Sequence, residues 1–436
     1  GLPKDSIVKT SSPAVILDGS YNTIQIDSGW NKEKIKLFKD LDKKFINDVY
    51  KELESYHDLK DYAHTVARFS YSSFIIFLYK ASCIINKDLT EKRLILEIDH
   101  QNKKINSPWK ILLANNLQAD NFKIQTKQLD NATINTTKIP ILHRLRVSGI
   151  ESIIYMLISK SYGFYPKFFS KGDIFVAGNN ELITEICYEL AKQRYRIKKI
   201  EPESFNENIA NNIIEKIKKA LLDKVIKPYI NKYVVDDLVD VCMNEYFEDL
   251  NHCLNQYNSL KNGWEMTLKN LSIKPEFIFM NSPSSFKGIA LYNSNNRESL
   301  LVSAQHGVTD EISKEKLGHV AMEINASDIY LAYNDSSASV SEKSQFKKGK
   351  SFVVGMSLKH LRMKQNFSFN KINCPIVYIA TNLYKGNNGI AGHITDYDRA
   401  MTEINFIENV LSKVPHKILY KSYPEQNIRY PDLNPV

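Results

Sequence analysis

One stretch decides the fold: residues 172–200, which read GDIFVAGNNELITEICYELAKQRYRIKKI. Its apolar run Asp173–Ala177 predicts a buried strand, and Gly178-Asn179-Asn180 predicts a turn after it. Four apolar residues then recur at helical spacing: Leu182, Ile183, Ile186 and Leu190. Because Ile197–Ile200 predicts a second strand, the stretch is a βαβ unit, which is typical of parallel α/β folds.

The alternation of strands and helices continues in the second half of the sequence. Six apolar runs bounded by turn residues predict strands buried on both faces: Phe277–Met280, Leu300–Ala304, Ile329–Tyr333, Phe352–Val354, Pro375–Ala380 and Ile418–Tyr420. Asp396 can cap a helix that runs to Val414, since apolar residues after it fall on one stripe. Residues from about 270 to 436 are therefore expected to form one doubly wound domain.

The first half contains further strand candidates, and a helical segment separates it from the second half. The candidates are Ala14–Leu17, Leu94–Ile98 and Ile111–Ala114, and residues 206–270 predict helices almost throughout. We therefore expect an α/β protein with two Rossmann-like, doubly wound domains that face a cleft and are joined by helices. The expected domains are residues 1–265 and 266–436.

Composition and charge narrow the class of protein. The 436 residues are 43% hydrophobic and 25% charged, the balance of a soluble globular chain of about two or three domains. The longest apolar patch, Phe74–Ile85, is broken by Lys80 and Ser82, so no membrane-spanning helix is expected. With 58 Lys and Arg against 49 Asp and Glu, the net charge of +9 suits an anionic substrate or a membrane surface. It is too small to indicate a nucleic-acid partner.

Cysteine spacing and short motifs exclude several kinds of site. The five cysteines form no CxxC pair, which argues against a zinc site and predicts reduced thiols in a cytoplasm. The first residues lack the pattern of a signal peptide, in keeping with a cytoplasmic location. The motifs of Rossmann dehydrogenases, P-loop NTPases, zincins and α/β-hydrolases are absent from the sequence.

Polar residues follow four of the predicted strands, at the ends where doubly wound sheets bind ligands. The strongest signal is Ser303-Ala304-Gln305-His306-Gly307, whose Gln and His offer donors to an anion. Lys421-Ser422-Tyr423-Pro424 can hold a phosphate, and Thr381-Asn382 and Asn281–Ser285 add polar turns. Each alone also fits an ordinary turn or a buried histidine bonded to a backbone carbonyl. Together, at one sheet edge, they predict a nucleotide site.

Four carboxylates are candidates for chemistry, each with a simpler interpretation. Glu323 can accept hydrogen bonds from ribose hydroxyls, or is a solvated helix residue. Glu181 begins the helix after Asn180, where it is either a general base or a first-turn glutamate favoured by the helix dipole. Asp99 and Asp240 are the next candidates for this role, and the alternative for each is a solvated surface position.

A group of basic residues marks the end of the βαβ unit. It consists of Lys192, Arg194, Arg196, Lys198 and Lys199. The pattern predicts a solvated face, and its alternative is contact with anionic lipid or a phosphorylated acceptor.

Five of these segments, in this order, resemble bacterial surface-carbohydrate transferases of the GT-B architecture. The resemblance is to the group that uses CMP-activated ulosonic sugars such as Kdo and nonulosonates. It covers about 150 residues: Phe277–Ser282, Gln305-His306-Gly307, Glu323 with Ser327–Leu331, Ile376–Thr381 and Ile418–Pro424. The Gln-His-Gly turn is the most specific of these pieces.

The resemblance implies a GT-B-like glycosyltransferase that moves Kdo or a related ulosonic acid from a CMP-activated donor to a bacterial glycan. Lipopolysaccharide, O-antigen and capsule biosynthesis are the implied settings, with the donor as substrate and no further cofactor or metal. Glu181 would be the base or nucleophile, with Asp99 and Asp240 behind it, and His306 would stabilise the departing CMP. The implied nucleotide-binding residues are Ser282, Ser284, Gln305, His306, Gly307, Glu323, Thr381, Asn382, Lys421, Ser422 and Tyr423.

Other functions stay open at this stage. A polymerase that moves polyol phosphate from a CDP donor would need a second catalytic histidine, for which His319 and His393 are available. A non-catalytic, glycan-binding GT-B-like module is the alternative from a different class. The expected partners are a nucleotide sugar and a glycan or lipid-linked glycan, met in the cytoplasm or at the cytoplasmic face of the inner membrane. An unrelated α/β protein that holds another anion is the simplest alternative.

Overall fold

The computed structural model describes the chain in separate ranges. They are residues 7–10, 22–25, 44–70, 93–99, 122–128, 150, 154, 169–205, 209–233, 236–271, 274–281, 285–294, 298–305, 326–342, 349–357, 376–379 and 396–421.

The secondary structure alternates between strands and helices through most of these ranges. The first part contains β1 (Ile7–Thr10), β2 (Asn22–Gln25), α1 (residues 44–54), α2 (Lys60–Phe69), β3 (Arg93–Asp99) and β4 (Phe122–Gln128). The middle part contains β5 (Gly172–Val176), α3 (Glu181–Lys192), β6 (Tyr195–Lys199), α4 (Asn211–Leu221), a π-helical turn (Leu222–Ile226), α5 (Lys227–Tyr233) and α6 (Asp236–Lys269). The last part contains β7 (Phe277–Met280), α7 (Phe286–Tyr292), β8 (Leu300–Ala304), β9 (Ile329–Ala332), α8 (Asp335–Glu342), β10 (Lys350–Val353), β11 (Ile376–Ile379), α9 (Asp396–Asn409), a 3₁₀ turn (Leu411–Lys413) and β12 (Ile418–Lys421).

Six of the strands form one parallel sheet in the order β10-β9-β8-β7-β5-β6. The register pairs Ile174 of β5 with Ile197 of β6 on one side and with Phe277 of β7 on the other. Farther along, Val302 of β8 pairs with Ile329 of β9. The prediction of an α/β fold with a parallel sheet is therefore confirmed, and this strand arrangement is compatible with a Rossmann-like sheet.

The central strand β5 is buried on both faces, as parallel strands usually are. Ile174 and Val176 pack on one face of the sheet, against Ile183 of α3. Phe175 packs on the other face, in a cluster that includes Leu291 of α7. Helices thus cover both faces of the sheet, and the sequence alternation of β5 places its side chains on them in turn.

A second, purely helical core lies among α1, α2, α4, α5 and the first half of α6. Phe45, Leu53 and Val66 are buried there with Leu250 of α6. The second half of α6 leaves this helical cluster and contributes Trp264 to the core beneath the sheet. The helices predicted over residues 206–270 are thus present, and α6 belongs to both cores.

The strand pairing differs from the expected division of the chain near residue 265. β5 and β6 were expected in a first domain, yet β5 pairs directly with β7, which follows that boundary. The physical reason is that β5 is an interior strand, and the backbone hydrogen-bonding groups along its two edges are satisfied by a strand on each side. The βαβ unit and the strands β7–β10 consequently share one sheet.

The four polar strand ends also divide between two sheets. β7 and β8 belong to the six-stranded sheet, whereas β11 and β12 form a separate two-stranded parallel pair. Two further parallel pairs, β1 with β2 and β3 with β4, complete the described strands.

A helix that crosses a bilayer must be both long and apolar. Within the described ranges, no helix combines the two as a membrane-crossing segment does.

Candidate functional site

The six-stranded sheet has a topological switch point between β5 and β7. From β5 the chain passes through α3 on one face to β6, and from β7 it passes through α7 on the other face to β8. Where two connections leave in opposite directions, doubly wound sheets bind ligands in a crevice outside the carboxyl ends of the two strands, here β5 and β7. This crevice is the candidate site, since doubly wound sheets bind their ligands there.

Gly178 and Asn281 form the floor of the crevice. The Asn281 N–H donates to the carbonyl of Gly178 at 3.2 Å, so the two chains touch just beyond the strands. A Cβ on Gly178 would collide with the Asn281 side-chain oxygen and would lie 3.3 Å from its backbone nitrogen. A side chain at position 178 would therefore displace that of Asn281, so glycine permits the close approach of β7. Asn281 is half-buried at the switch point.

Asn180 joins the β5 turn to the end of β8. Its side-chain oxygen accepts from the Ile183 N–H at 2.9 Å and so caps α3. Its amide nitrogen donates to the carbonyls of Ala304 and Gln305, at 3.2 Å each. One side chain thus fixes both the start of α3 and the point where the chain leaves β8.

Gln305 continues this network from β8 to β9. Its backbone N–H donates to Leu331 at 3.0 Å, and its side-chain oxygen accepts from the Tyr333 N–H at 2.9 Å. The side chain is 1% exposed. Beyond Tyr333, Asn334 accepts from the Ser337 N–H at 2.9 Å and begins α8. The predicted position of Gln305 at a strand end is confirmed, and in the structure its side chain links two strands. Its predicted contact with a nucleotide stays a prediction.

Glu181 lies at the same edge of the sheet. It is the first residue of α3, directly after the capping Asn180, and its side chain is exposed. A carboxylate in the first turn is favoured by the helix dipole, which is the simpler of its two interpretations. The position also leaves it accessible to a ligand over the switch point, so the catalytic assignment stays a prediction.

The other predicted carboxylates occupy different parts of the fold. Asp99 ends β3, in the separate pair with β4, where it lies opposite Gln128. Asp240 is exposed near the start of α6, beside the buried Val239 of the helical cluster. About 36 Å of helix separates Asp240 from Trp264, the α6 residue under the sheet. Asp99 thus lies in a strand pair separate from the six-stranded sheet and Asp240 lies beside the helical cluster, and their catalytic assignments stay predictions.

Lys421 is the one predicted phosphate-binding residue of the β11–β12 pair that the structure describes. It ends β12, is exposed, and lies opposite Ile379 of β11. The carboxyl ends of these two strands are thus level, as the prediction of a shared polar edge requires. The remaining candidates lie outside the described residues: Ser282, Ser284, His306, Gly307, Glu323, Thr381, Asn382, Ser422 and Tyr423.

The basic group at β6 divides between one internal ion pair and exposed positions. Arg196 and Asp173 form a two-pronged ion pair, with N–O distances of 2.5 and 2.6 Å, and both side chains are mostly buried. Lys192 pairs with Glu189 at 2.7 Å on the surface. Arg194 adopts a left-handed backbone, with φ of 74°, which ends α3. Contact with lipid or an acceptor stays a prediction.

Sequence reasoning missed Asn180 as a site residue and gave Asn281 no role of its own. Asn180 acts through partners 124 and 125 residues away, which no local pattern indicates. The available signal was its place after a strand and before a helix, where asparagine is a frequent cap. Asn281 had a similar signal, since it follows β7 directly.

In the part of the chain that the structure describes, no three His, Cys, Asp or Glu side chains lie together as a metal site requires. Comparisons of the sequence with protein-family models and with curated proteins, and of the fold with solved structures, found no match.

The arrangement is suited to an anionic ligand with hydrogen-bonding groups. The N-termini of α3 and α8 meet the same sheet edge, each capped by an asparagine. The N–H groups and partial positive charge at helix N-termini favour a phosphate or carboxylate. Asn281 adds an amide that can both donate and accept.

Proposed function

We propose that this chain is a glycosyltransferase that binds a nucleotide-activated sugar at the carboxyl edge of its six-stranded sheet. The observation that carries the proposal is the switch point between β5 and β7, floored by Gly178 and Asn281. Asn180 and Gln305 hold the neighbouring strand ends in place around it. A preorganised polar edge of this kind fits a nucleotide phosphate.

His306 is the residue we assign to the departing nucleotide. It follows Gln305 in the chain, and Gln305 is fixed at the edge through Leu331, Tyr333 and Asn180. A histidine held there would donate to the phosphate oxygen on which charge develops as the glycosidic bond breaks.

Glu181 is the group we assign to the acceptor side of the reaction. Its exposed position at the start of α3 leaves room for a sugar hydroxyl. As a base it would remove the proton from that hydroxyl; as a nucleophile it would form a covalent glycosyl intermediate that the acceptor then displaces.

We further propose the GT-B arrangement and a CMP-activated ulosonic sugar such as Kdo as donor, with a bacterial surface glycan as acceptor. The support for this finer proposal is the order of the sequence segments around Gln305-His306-Gly307, Glu323 and Lys421.

The first test is thermal stabilisation by millimolar CMP, CDP, UDP, GDP and ADP. A nucleotide at 100 times its Kd should stabilise the fold by about 2.7 kcal/mol, a readily measured shift in Tm. Selective stabilisation by CMP supports the donor proposed. Preference for UDP or GDP contradicts the CMP donor but keeps a nucleotide-sugar transferase, and no shift with any nucleotide contradicts the proposed function.

The second test is release of CMP from CMP-Kdo or a CMP-nonulosonate in the presence of glycan acceptors. His306→Ala should lower turnover at least about tenfold, as expected for loss of one charge-stabilising donor. Glu181→Gln should lower kcat, whereas Glu185→Gln, one turn farther along α3, should not. Wild-type turnover in folded His306→Ala protein would contradict the role of His306.

A further inference from the structure

β10 begins at the exposed Lys350, but the carboxyl half of its outer edge is apolar, which is unusual for the last strand of a sheet. Phe352, Val353 and Val354 are 50%, 47% and 46% exposed, and among the described residues no strand pairs with this side of β10. Sheet edges are normally protected by charges, above all by lysine. The opposite edge, β6, has that protection in Lys198 and Lys199, which follow the ion-paired Arg196.

The β11–β12 pair has a matching apolar edge. Val377 and Ile379 of β11 are 53% and 61% exposed, and β11 contains no charged residue. In contrast, β12 is preceded by Lys417 and ends at Lys421, as an edge strand does. A two-stranded sheet is marginally stable in water by itself, so β11 is expected to have a second neighbour.

One face of the β11–β12 pair packs against helix α9. Tyr378 of β11 lies beside Tyr420 of β12 and Phe406 of α9, with ring centroids 5.8 and 5.6 Å apart. Tyr420 donates to the buried Glu403 of α9 at 3.4 Å. β11, β12 and α9 therefore form one packed unit, which can dock as a body.

At the outer edges of β10 and β11, alternate backbone N–H groups point away from the strand that is already paired. Val354 donates its N–H to Ala332 of β9 at 2.9 Å, so the N–H of Val353 points the other way, away from β9. Ile376 donates to Lys417 beside β12 at 3.0 Å, so the N–H of Val377 points away from β12. Among the described residues, neither the Val353 N–H nor the Val377 N–H has a hydrogen-bond acceptor.

Chain order indicates that these two edges belong together. β7, β8, β9 and β10 are placed side by side in sequence order, each one step farther out. Residues 354–375 connect β10 to β11, and these 22 residues exceed the dozen or so that a parallel crossover needs. Consecutive elements are usually neighbours in space.

We propose that β11 pairs in parallel with the outer edge of β10, which extends the sheet to eight strands with β12 as its edge. Glu342 already accepts the outward N–H of Ser351 at 2.9 Å, so pairing begins at Val353. The carboxyl ends of β11 and β12, with Lys421, then lie on the same edge as Asn281 and Gln305. The inference is independent of the proposed glycosyl transfer.

The test is amide hydrogen exchange at Val353, with the adjacent Val354 as internal reference. Val354 is bonded to β9 and should exchange slowly in either case. We expect Val353 and Val377 to be protected at least about 100-fold relative to an unstructured amide. Rapid exchange at Val353 beside a protected Val354 overturns the proposal.

Two variants connect the protection at β10 to β11. Val377→Pro removes the N–H that would face β10 and should speed exchange at Val353 at least about tenfold while leaving Val354 unchanged. Val377→Thr keeps the N–H and is the matched control. Protection of Val353 that survives Val377→Pro, or that is lost on dilution because a second copy supplies the partner strand, overturns the proposal.

Discussion

The two edges of the six-stranded sheet differ in how they meet solvent. At β6, Arg196 is neutralised by Asp173 on the neighbouring strand, and Lys198 and Lys199 keep the edge charged. At β10, apolar side chains lie exposed instead, among them Phe352. The side chains therefore distinguish a charged edge from an apolar edge, for which we propose β11 as the neighbour. The number of strands in a sheet does not reveal this difference.

The largest expected effect is on the β6 edge. Arg196→Ala leaves Asp173, 6% exposed, without its charge partner, and removing one member of a buried ion pair costs about 3–5 kcal/mol. The free energy of unfolding should fall by that amount in urea titrations. Lys192→Ala is the control, because its pair with Glu189 is half-exposed and is worth no more than about 1 kcal/mol. Equal losses in the two variants would show that the β6 edge does not depend on the internal pair.

A second pair of variants compares a glycine near the β10 edge of the sheet with a glycine near the β6 edge. A Cβ on Gly349, just before β10, would lie 2.5 Å from the Asp328 carbonyl oxygen, so Gly349→Ala should cost about 1–3 kcal/mol. On the β6 side, a Cβ on Gly172 meets only the Tyr195 ring at 3.5 Å, an ordinary contact. Thermal unfolding should therefore show a clear drop in Tm for Gly349→Ala and little change for Gly172→Ala. A tolerated alanine at position 349 would mean that β10 can move away from β9.

The pH dependence of the β11–β12 unit gives a smaller effect. Burial, with the nearby Glu403 carboxylate, raises the pKa of Tyr378 and of Tyr420 from 10.0 to about 12. A raised pKa in the folded state favours the neutral hydroxyl, so the stabilisation is complete below pH 10 and is lost as the pH rises toward 12. Tyr378→Phe should be less sensitive than wild type to pH over this window when melting is followed by near-ultraviolet circular dichroism. The same pH dependence in both proteins would contradict a packed Tyr378.

The smallest expected effect concerns the hydrogen bond from the Ser351 N–H of β10 to the Glu342 side chain. Glu342→Ala removes the acceptor for the Ser351 N–H and should cost about 0.5–1 kcal/mol. Faster amide exchange at Ser351 is the direct measurement, and Glu342→Gln, which keeps an acceptor oxygen, should preserve much of the protection. Unchanged exchange in Glu342→Ala would show that another group protects this edge.

Much of the secondary structure could be predicted from the sequence. The runs at Phe277–Met280 and Leu300–Ala304 are strands with those bounds, because β-branched and aromatic residues between turns have few other stable arrangements. Strand pairing could not be predicted in the same way. Val176 pairs with Phe279 about 100 residues later, and hydrophobic periodicity carries no information on the partner.

The candidate site shows the same limit. Position at a strand end placed Gln305 and Glu181 at the carboxyl edge of the sheet, where the structure has them, since the carboxyl ends of parallel strands share one edge. The partners of Gln305 and Asn180 were not predictable, because they come from strands brought together only by the fold.

Helix α6 has a consequence for how the molecule unfolds. Its first half supplies Leu250 to the helical cluster and its second half supplies Trp264 to the core under the sheet, along 34 residues of continuous helix. Loss of either core removes the packing that holds half of this helix, and a helix stripped of tertiary contacts is marginal in water. The two cores are thus thermodynamically linked through one element, and they should melt in a single cooperative transition.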